Sequence, residues 1–455
     1  MQKMKNGKKV LSVCLSLAMA AGMLSTSAFA SWNVYGGSNN HNAVVTEAPT
    51  TPDASGLNSY IQLKCTGSGW DGVDNVPVMQ TVNGTTYAYV LYDGYGASGA
   101  LVAKIRCAEN GGSSIVWTTD PYGTEGTSLN AKSGFQLSTP YLDDKGTPDD
   151  ASDDTLYVGT ISQYDDYEGG EWLTGTGSKV MALTGLDQNK PTVTNVLTGI
   201  NGQINTPITT DGTYLYFGTW PGGSRAGTYY QVKLSDYSVK TFTPDSYGFY
   251  WAGAVSDGTN VYFGSDNGLL YWRSIADFDT TGGVLDLTDV ASDAGNVRST
   301  VMLDDGYLYF TTQGGYLWCC SYDDGLTVEW HIKLGATSTS TPTKVGDRIY
   351  VGYYSGFSEG GVQCLDLGTG SLSTVASGFP VQSSIVVMGD GTGTDYLYFN
   401  TNAQKGAGYC YSYDGTTGSQ VWGTTGDTYA LGGMAIDNGY AVFGNDYNHL
   451  YVVHD

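Results

Sequence analysis

One strand pattern recurs eight times along this chain of 455 residues. Each copy is a run of aromatic and aliphatic residues that ends in Gly or a small polar residue, and the copies recur at intervals of about 41 to 68 residues. The eight copies are TYAYVLYD (86–93), TLYVGT (155–160), YLYFGTW (214–220), NVYFGSD (260–266), YLYFTTQ (307–313), RIYVGYY (348–354), YLYFNTN (396–402) and YAVFGND (440–446). Such self-similarity predicts a repeat architecture, because each unit buries its apolar face only against its neighbours.

Each unit contains further strands around this central one. A strand that begins with Pro or small residues precedes it, as in 204–211, and another apolar strand follows it. A weaker fourth strand completes the first seven units. Tyr and β-branched residues favour strands, and the 65 Gly residues suit the tight turns between them. Because no convincing amphipathic helix follows the first thirty residues, the chain is predicted to be all-β.

The eighth unit stops after its third strand, at Asp455. We expect the missing strand to come from the N-terminal segment, where either 31–37 (SWNVYGG) or 60–65 (YIQLKC) could supply it. Such a closure removes exposed sheet edges and joins the two ends of the chain. The sequence therefore predicts a single eight-bladed β-propeller of four-stranded antiparallel blades over residues 31–455, with its ring closed by an N-terminal strand.

The first thirty residues have the composition of a secretory signal peptide. Four lysines among the first nine residues precede an apolar run (10–24), and Ala28-Phe29-Ala30 supplies the small residues of a cleavage site. The apolar run is too short to be a preferred membrane span. We expect cleavage after Ala30 and a secreted, extracellular protein; retention at the cell surface is left open.

The chain is strongly acidic, with 44 Asp and Glu against 20 Lys and Arg and a net charge of −24. Nucleic acid and anionic membranes repel such a chain, so we expect neither as a partner. No later apolar run could span a bilayer, so no membrane insertion is expected. Many acids lie in loops such as 143–154 and 164–171. These loops suit either solubility or Ca²⁺ binding, so calcium stays possible and no metal position is assigned.

Residues 412–422 resemble a repeat motif of a known family. They follow the pattern A-x-D-x-x-T-G-x-x-x-W, with Ser in place of Ala. The residues that carry the motif are Ser412, Asp414, Thr417, Gly418 and Trp422. This is similar to the tryptophan-docking motif of PQQ-type (quinoprotein-like) β-propellers, and Trp117 and Trp330 hold the Trp position in weaker copies. The resemblance implies that these tryptophans pack against a neighbouring blade.

The resemblance implies two kinds of function. Members of that family that bind PQQ are Ca²⁺-containing dehydrogenases, whereas relatives without the cofactor act as scaffolds. The dehydrogenases stack the quinone on a disulfide of adjacent cysteines, which makes Cys319-Cys320 the candidate here. Both lie inside a predicted strand, where successive side chains face opposite sides, and this favours a structural role. We therefore expect a non-catalytic member without PQQ; a PQQ- and Ca-dependent dehydrogenase and a carbohydrate-active enzyme remain alternatives.

Long aromatic loops separate the second and third strands of units two, three and six. In propellers of the resembled type these loops share one face with the segments that lead into the innermost strands. The predicted rim of that face consists of Trp172, Trp220, Arg225, Tyr250, Trp251, Tyr354 and Phe357. Exposed aromatic residues suit stacking on sugars or gripping of a peptide, although mutual packing that orders the loops would also explain them. The predicted function is a binding or scaffold module for a protein or glycan partner at the cell surface, and no catalytic residue is assigned.

Overall fold

Eight four-stranded antiparallel sheets, or blades, form a ring, with the first strand of each sheet nearest the axis. The innermost strand of blade 1 contacts those of blades 2 and 8, so the first and last repeats are neighbours. The predicted eight-bladed β-propeller is therefore confirmed. The computed structural model describes residues 31–63, 72–94, 99–121, 123, 125–131, 136–161, 164–168, 171–174, 177–323 and 325–455.

The strands of the first four blades follow one another outward from the axis in chain order. Blade 1 consists of Val78–Val82, Thr85–Gly94, Gly99–Arg106 and Ser114–Thr118. Blade 2 consists of Tyr141–Asp143, Thr155–Thr160, Ser178–Thr184 and Thr192–Ile200, with a hairpin of Tyr164–Glu168 and Glu171–Thr174 between its middle strands. Blade 3 consists of Thr209–Thr210, Tyr214–Gly218, Tyr229–Lys233 and Val239–Phe242. Blade 4 consists of Val255–Ser256, Asn260–Gly264, Leu269–Ser274 and Gly282–Asp286.

The remaining blades repeat this order, except that the outermost strand of blade 8 comes from the N-terminal segment. Blade 5 consists of Met302–Asp304, Tyr307–Thr312, Tyr316–Ser321 and Thr327–Lys333. Blade 6 consists of Thr343–Val345, Arg348–Ser355, Glu359–Asp366 and Ser371–Ser377. Blade 7 consists of Val386–Met388, Asp395–Asn400, Gly408–Tyr413 and Gly418–Gly423. Blade 8 consists of Ala435–Asp437, Tyr440–Gly444, His449–Val453 and Ile61–Gln62.

The ring is closed by the second of the two predicted N-terminal strands. Ile61–Gln62 pairs antiparallel with His449–Val453, and Ile61 lies opposite Leu450. A short α-helix, Ala54–Asn58, precedes this strand, and the Asp53 side chain caps it by accepting from the amide of Gly56 (2.6 Å). Closure by residues from both ends of the chain leaves blade 8 with the same four strands as the others.

Residues 31–45, called the N-terminal plug here, run along the open inner edges of the blades. One backbone amide from each of blades 1, 2, 5 and 7 donates to a carbonyl oxygen of the plug. One backbone amide from blade 6 donates to an Asn side chain of the plug. The five bonds are Met79 to Trp32 (2.7 Å), Leu142 to Asn33 (2.8 Å), Leu303 to Asn40 (2.9 Å), Val387 to Ala43 (2.9 Å) and Lys344 to Asn42 Oδ1 (2.8 Å). Val44–Val45 also pairs parallel with Val386–Met388. Segment 31–37, the other candidate for closure, thus lies in this plug rather than in blade 8.

His41 anchors the plug to blade 4. Its ring is buried, and Nδ1 and Nε2 lie 2.9 and 2.8 Å from the carbonyl oxygens of Tyr35 and Ala254. The backbone at His41 is left-handed, with φ of 61°. A neutral imidazole carries a single N–H, so it donates to only one of these two carbonyl oxygens.

Tryptophans of the fourth strands pack against the blade that follows. Trp117 of blade 1 is buried and donates from Nε1 to the carbonyl of Leu186 in blade 2 (3.4 Å). Trp422 of blade 7 is 4% exposed and donates to the carbonyl of Pro49 (2.8 Å). It shares a core with Met434 of blade 8. Half-buried Trp330 of blade 5 packs on residues of blade 6. The docking role that the resemblance implies for these tryptophans stays a prediction.

The turn before Trp422 shows why its motif needs Asp and Gly. Oδ1 of Asp414 accepts from the amides of Thr417 and Thr416, both at 2.8 Å, and these bonds lower the pKa of Asp414 to about 2. At Gly418 an added Cβ would lie 1.9 Å from the carbonyl oxygen of Val375 in blade 6. The glycine therefore allows the last strand of blade 7 to lie directly against the preceding blade.

We predict that Trp422→Ala lowers the free energy of unfolding by about 3–5 kcal/mol, because it empties a large buried site between blades. Urea denaturation monitored by circular dichroism measures the change. Val421→Ala is the matched control, since Val421 is the preceding residue of the same strand and is 37% exposed. Equal effects of the two substitutions would contradict the docking role of Trp422.

A second prediction concerns the acid stability of the plug. Burial lowers the pKa of His41 below 6.5, so the unfolded chain takes up this proton more readily than the folded chain. The stabilisation by the neutral ring is therefore complete above pH 6.5 and is lost as the pH falls below it. We expect His41→Asn to cost more stability at about pH 7.5 than at about pH 5 in urea denaturation.

The comparison of variant and wild type isolates His41 from other groups. Burial raises the pKa of Asp154 and of Asp437 to about 6, and protonation of these two carboxyls therefore stabilises the fold as the pH falls. This opposite effect is present in both proteins and cancels in the difference. A cost of His41→Asn that is the same at both pH values would rule out the assigned protonation state.

Candidate functional site

The eight blades surround a pocket on the propeller axis, called the axial pocket here. Each blade contributes one residue to the rim of this pocket. In every blade, one residue of the innermost strand pairs with the residue at the centre of the second strand. The rim residue lies four positions before that innermost-strand residue in the sequence. In blade 4, for example, Trp251 precedes Val255, which pairs with Tyr262. The rim residues of blades 1 to 8 are Asp74, Leu137, Asn205, Trp251, Arg298, Thr339, Gln382 and Leu431. The empty volume at the pocket is about 480 Å³, a figure that includes open solvent.

Tyr35 of the N-terminal plug forms the floor of the axial pocket. Its hydroxyl lies 3.0 Å from Oγ1 of Thr341 and donates to Oγ of Ser384 at 3.4 Å. Burial raises the pKa of Tyr35, so the phenol stays neutral. The plug thus contributes one side chain to the lining of the axial pocket.

Three of the predicted rim aromatic residues form an aromatic cluster at the mouth: Trp220, Tyr250 and Trp251. The ring centroids of Trp220 and Tyr250 are 5.2 Å apart, those of Tyr250 and Trp251 are 4.8 Å apart, and both pairs meet edge to face. Trp251 has a φ of 58°, a conformation that is costly for a bulky side chain. The amide of Gly253 (2.9 Å) and the hydroxyl of Thr300 (3.2 Å) donate to its carbonyl and hold it there.

A buried ion pair supports the aromatic cluster. Arg298 donates from Nε and an Nη to the two carboxylate oxygens of Asp266 at 2.7 and 2.6 Å. Trp220 donates from Nε1 to the same carboxylate (3.1 Å), and the guanidinium lies 4.5 Å from the ring centre of Tyr250. Burial opposes the charge of Arg298, but the bonds and charge of Asp266 outweigh it, so that the pKa of Arg298 is raised. The pair fixes two rings and a cation at one place on the mouth.

The other four predicted rim residues lie in different settings. Tyr354 is half-buried in the second strand of blade 6. Phe357 is 50% exposed and meets Tyr429 edge to face at 5.4 Å. Arg225 is exposed on its loop and is not among the residues that line the axial pocket. Trp172 belongs to the hairpin of blade 2, and its side chain lies outside the described residues.

Sequence reasoning missed Arg298 and Asp266. The rim was predicted from the long aromatic loops, whereas Asp266 lies on one of the shortest loops between second and third strands. Arg298 occupies the rim position of blade 5 that Trp251 occupies in blade 4. Alignment of the eight segments that precede the innermost strands would have placed Arg298 on the rim with Trp251, whereas Asp266 lies on a loop outside these segments.

The adjacent cysteines do not fit a quinone site. Cys319 is buried with Leu365 between blades 5 and 6, whereas Cys320 is buried with Tyr262 between blades 4 and 5. Neither lines the axial pocket, and burial raises the pKa of Cys319 to about 12. The five described cysteines, Cys107, Cys319, Cys320, Cys364 and Cys410, are buried free thiols, and Cys65 lies outside the described residues. Within the described ranges, no three His, Cys, Asp or Glu side chains come together as a metal site requires.

Comparisons with known proteins place the chain by its fold. No protein-family model matches it, and no curated protein matches it by sequence. Among solved structures it is similar to BamB from Moraxella catarrhalis (13% identity, TM-score 0.52, 88% of this chain and 97% of that one). It is also similar to Sqt1 from Saccharomyces cerevisiae (11%, 0.56, 87% and 99%) and to the computationally designed Ika8 protein (12%, 0.51, 87% and 99%). At these identities the likeness shows the β-propeller fold alone. No helix in the described part of the chain has the length and apolarity needed to cross a membrane.

We predict that Arg298→Met lowers the free energy of unfolding by about 3–5 kcal/mol, because it leaves a buried carboxylate without its cation. Asp266 is only 5% exposed at its side chain. The double variant Arg298→Met/Asp266→Leu is expected to recover most of this loss in urea denaturation. If the double variant is less stable than Arg298→Met alone, the ion pair does not act as assigned.

Proposed function

We propose that this protein is a secreted, non-catalytic binding module whose pocket-bearing face takes a protein or glycan partner at the cell surface. The observation that carries the proposal is the aromatic cluster with Arg298 at the mouth of the axial pocket. Aromatic and Arg side chains held in one place dominate the energetics of binding surfaces. Here the carboxylate of Asp266 accepts from both Arg298 and the Trp220 ring, and the Arg298 cation in turn lies over the Tyr250 ring.

The strained backbone at Trp251 also supports the assignment of the pocket-bearing face as the binding face. Residues in sparsely populated conformations persist where the surroundings over-determine them, and such residues gather at binding sites. Trp251 and Tyr247 both have positive φ, of 58° and 64°, in the segment that leads into blade 4.

Membership of the quinoprotein-like family and export are parts of the proposal. The docking contacts of Trp117 and Trp422 support the first, and the composition of residues 1–30 supports the second. The placement of Cys319 and Cys320 in separate cores favours a scaffold over a quinone enzyme. The net charge of −24 suits a neutral or positively charged partner surface.

The proposal is tested by binding of the purified protein to an array of cell-surface polysaccharides and to immobilised envelope proteins. We expect Trp220→Ala to weaken the binding of the partner so found about tenfold or more, as for a central aromatic contact. Tyr237→Ala is the matched control, since this exposed tyrosine of blade 3 lies on a turn between third and fourth strands, at the opposite face. If Tyr237→Ala weakens binding and Trp220→Ala does not, the partner binds the opposite face, on which Tyr237 lies.

A further inference from the structure

The three most exposed Tyr, Phe or Trp side chains of the described residues lie in one sector of the ring. Tyr447 is 53% exposed, Phe357 50% and Tyr60 47%. Phe357 and Tyr447 lie on the loops between second and third strands of blades 6 and 8, the same connection that carries Trp220 in blade 3. Tyr60 directly precedes the closing strand of blade 8. Exposed apolar side chains that gather in one place mark a contact surface.

Ring contacts join these side chains into what is called the outer aromatic arc here. It consists of Tyr60, Phe357, Tyr429, Tyr447 and His449. The rings of Tyr60 and His449 stack with centroids 3.6 Å apart, and Tyr447 meets His449 edge to face at 5.9 Å. Phe357 meets Tyr429 at 5.4 Å, and the carbonyl of Tyr429 accepts from the amide of Asp446 (3.0 Å), next to Tyr447. The arc therefore extends from blade 6 to the closing strand of blade 8.

Hydrogen bonds within the protein hold the centre of the arc in place. Oδ2 of Asp427 lies 2.6 Å from Nδ1 of His449, and Oδ1 of Asp427 accepts from Nδ2 of Asn445 (2.6 Å). The carbonyl of Tyr447 accepts from Nε2 of Gln62 in the closing strand (3.0 Å). The loop and the imidazole on which two exposed tyrosines rest are thus ordered before a partner arrives, which lowers the entropy cost of binding.

The backbone of the loop that carries Tyr447 offers no amide for an added strand. The amides of Tyr447 and His449 donate to Oδ1 of Asn445 (3.0 and 3.1 Å). The amide of Asn448 donates to the carbonyl of Asn445 (3.0 Å), and that of Asp446 to the carbonyl of Tyr429. Four successive amides, 446–449, are therefore engaged within the protein. A partner meets this loop through side chains rather than through main-chain pairing.

The groups that the arc presents favour a proline-rich peptide. Recognition of a sugar needs fixed polar groups beside the rings, but here Asp427 and Asn445 bond each other, His449 and the backbone. Ring faces and phenol hydroxyl donors are what the arc presents. A peptide in the polyproline II (PPII) conformation has few N–H groups that need partners, and its carbonyl oxygens accept from such hydroxyls while proline rings pack on aromatic faces.

The charges around the arc favour a basic partner. Asp427, Asp446 and Glu359 lie on or beside the loops that carry its rings, whereas Lys405 is a basic residue on the neighbouring loop of blade 7. The net charge of the whole chain, −24, adds to this local excess of acid. Lys or Arg side chains of a partner are therefore attracted, and they also pack on aromatic rings.

We propose that the outer aromatic arc binds a proline-rich, basic peptide segment of a protein partner in the PPII conformation. Prolines pack on the rings of Tyr447 and Phe357, and peptide carbonyl groups accept from the hydroxyls of Tyr60 and Tyr447. This surface belongs to blades 6 to 8 and is separate from the aromatic cluster around Trp220. It therefore goes beyond the proposed function, as a second contact surface with its own ligand.

The test is a fluorescence-anisotropy titration of a labelled peptide of Pro-Pro-Lys repeats with the full purified protein. We expect it to bind about tenfold or more tighter than a Gly-Ser-Lys peptide of equal length and charge, because the PPII conformation is preformed. Tyr447→Ala and Phe357→Ala should each weaken this binding about fivefold or more. Both should keep the melting temperature of the wild type, since these side chains are about half exposed. Tyr237→Ala, at the opposite face, is the matched control and should change neither property.

Three outcomes would overturn the inference. They are absence of binding, equal binding of the two peptides, which shows attraction by charge alone, and displacement of the Pro-Pro-Lys peptide by neutral oligosaccharides. Trp220→Ala separates this inference from the proposed function. It should leave the affinity for the peptide unchanged. If Trp220→Ala abolishes peptide binding and Tyr447→Ala does not, the peptide binds the aromatic cluster, and only the assignment of the outer aromatic arc is lost.

Discussion

The open inner edges of eight strands are the constraint on which this molecule depends. Each innermost strand pairs on its outer side with the next strand of its blade and leaves backbone groups facing the axis. Buried groups of this kind need partners, and a dry channel offers none. The plug, residues 31–45, supplies carbonyl and side-chain acceptors to five blades, and His41 joins it to a sixth. The N-terminal segment is therefore as much a part of the core as any blade.

The plug also determines what the axis can do. A ring of eight similar blades around an empty axis would form a channel, but the plug places Tyr35 below the rim and leaves a pocket. The plug is a single chain and has no rotational symmetry, so it contacts each blade differently. The blades in turn carry different residues at the one rim position, from Leu137 to Arg298. The blades share one fold but carry different residues at the rim. A ligand in the pocket would therefore meet different side chains on different sides.

The repeat count, the all-β class and the closure of blade 8 were predictable because they depend on local pattern. The composition of segments such as 307–313 predicts strands, and the eighth unit lacks one strand that another part of the chain must supply. The rim could be predicted only in part. Trp220, Tyr250 and Trp251 contact one another, whereas Phe357 packs on Tyr429. The pairing of Arg298 with Asp266 joins two blades, and strand register rather than residue type brings these side chains together.

The left-handed backbone of Trp251 shows how the fold holds one side chain of the aromatic cluster in place. Stability alone would favour a small residue or Gly at such a position. The amide of Gly253 and the hydroxyl of Thr300 donate to the carbonyl of Trp251 and keep the residue in this conformation, with its ring against that of Tyr250.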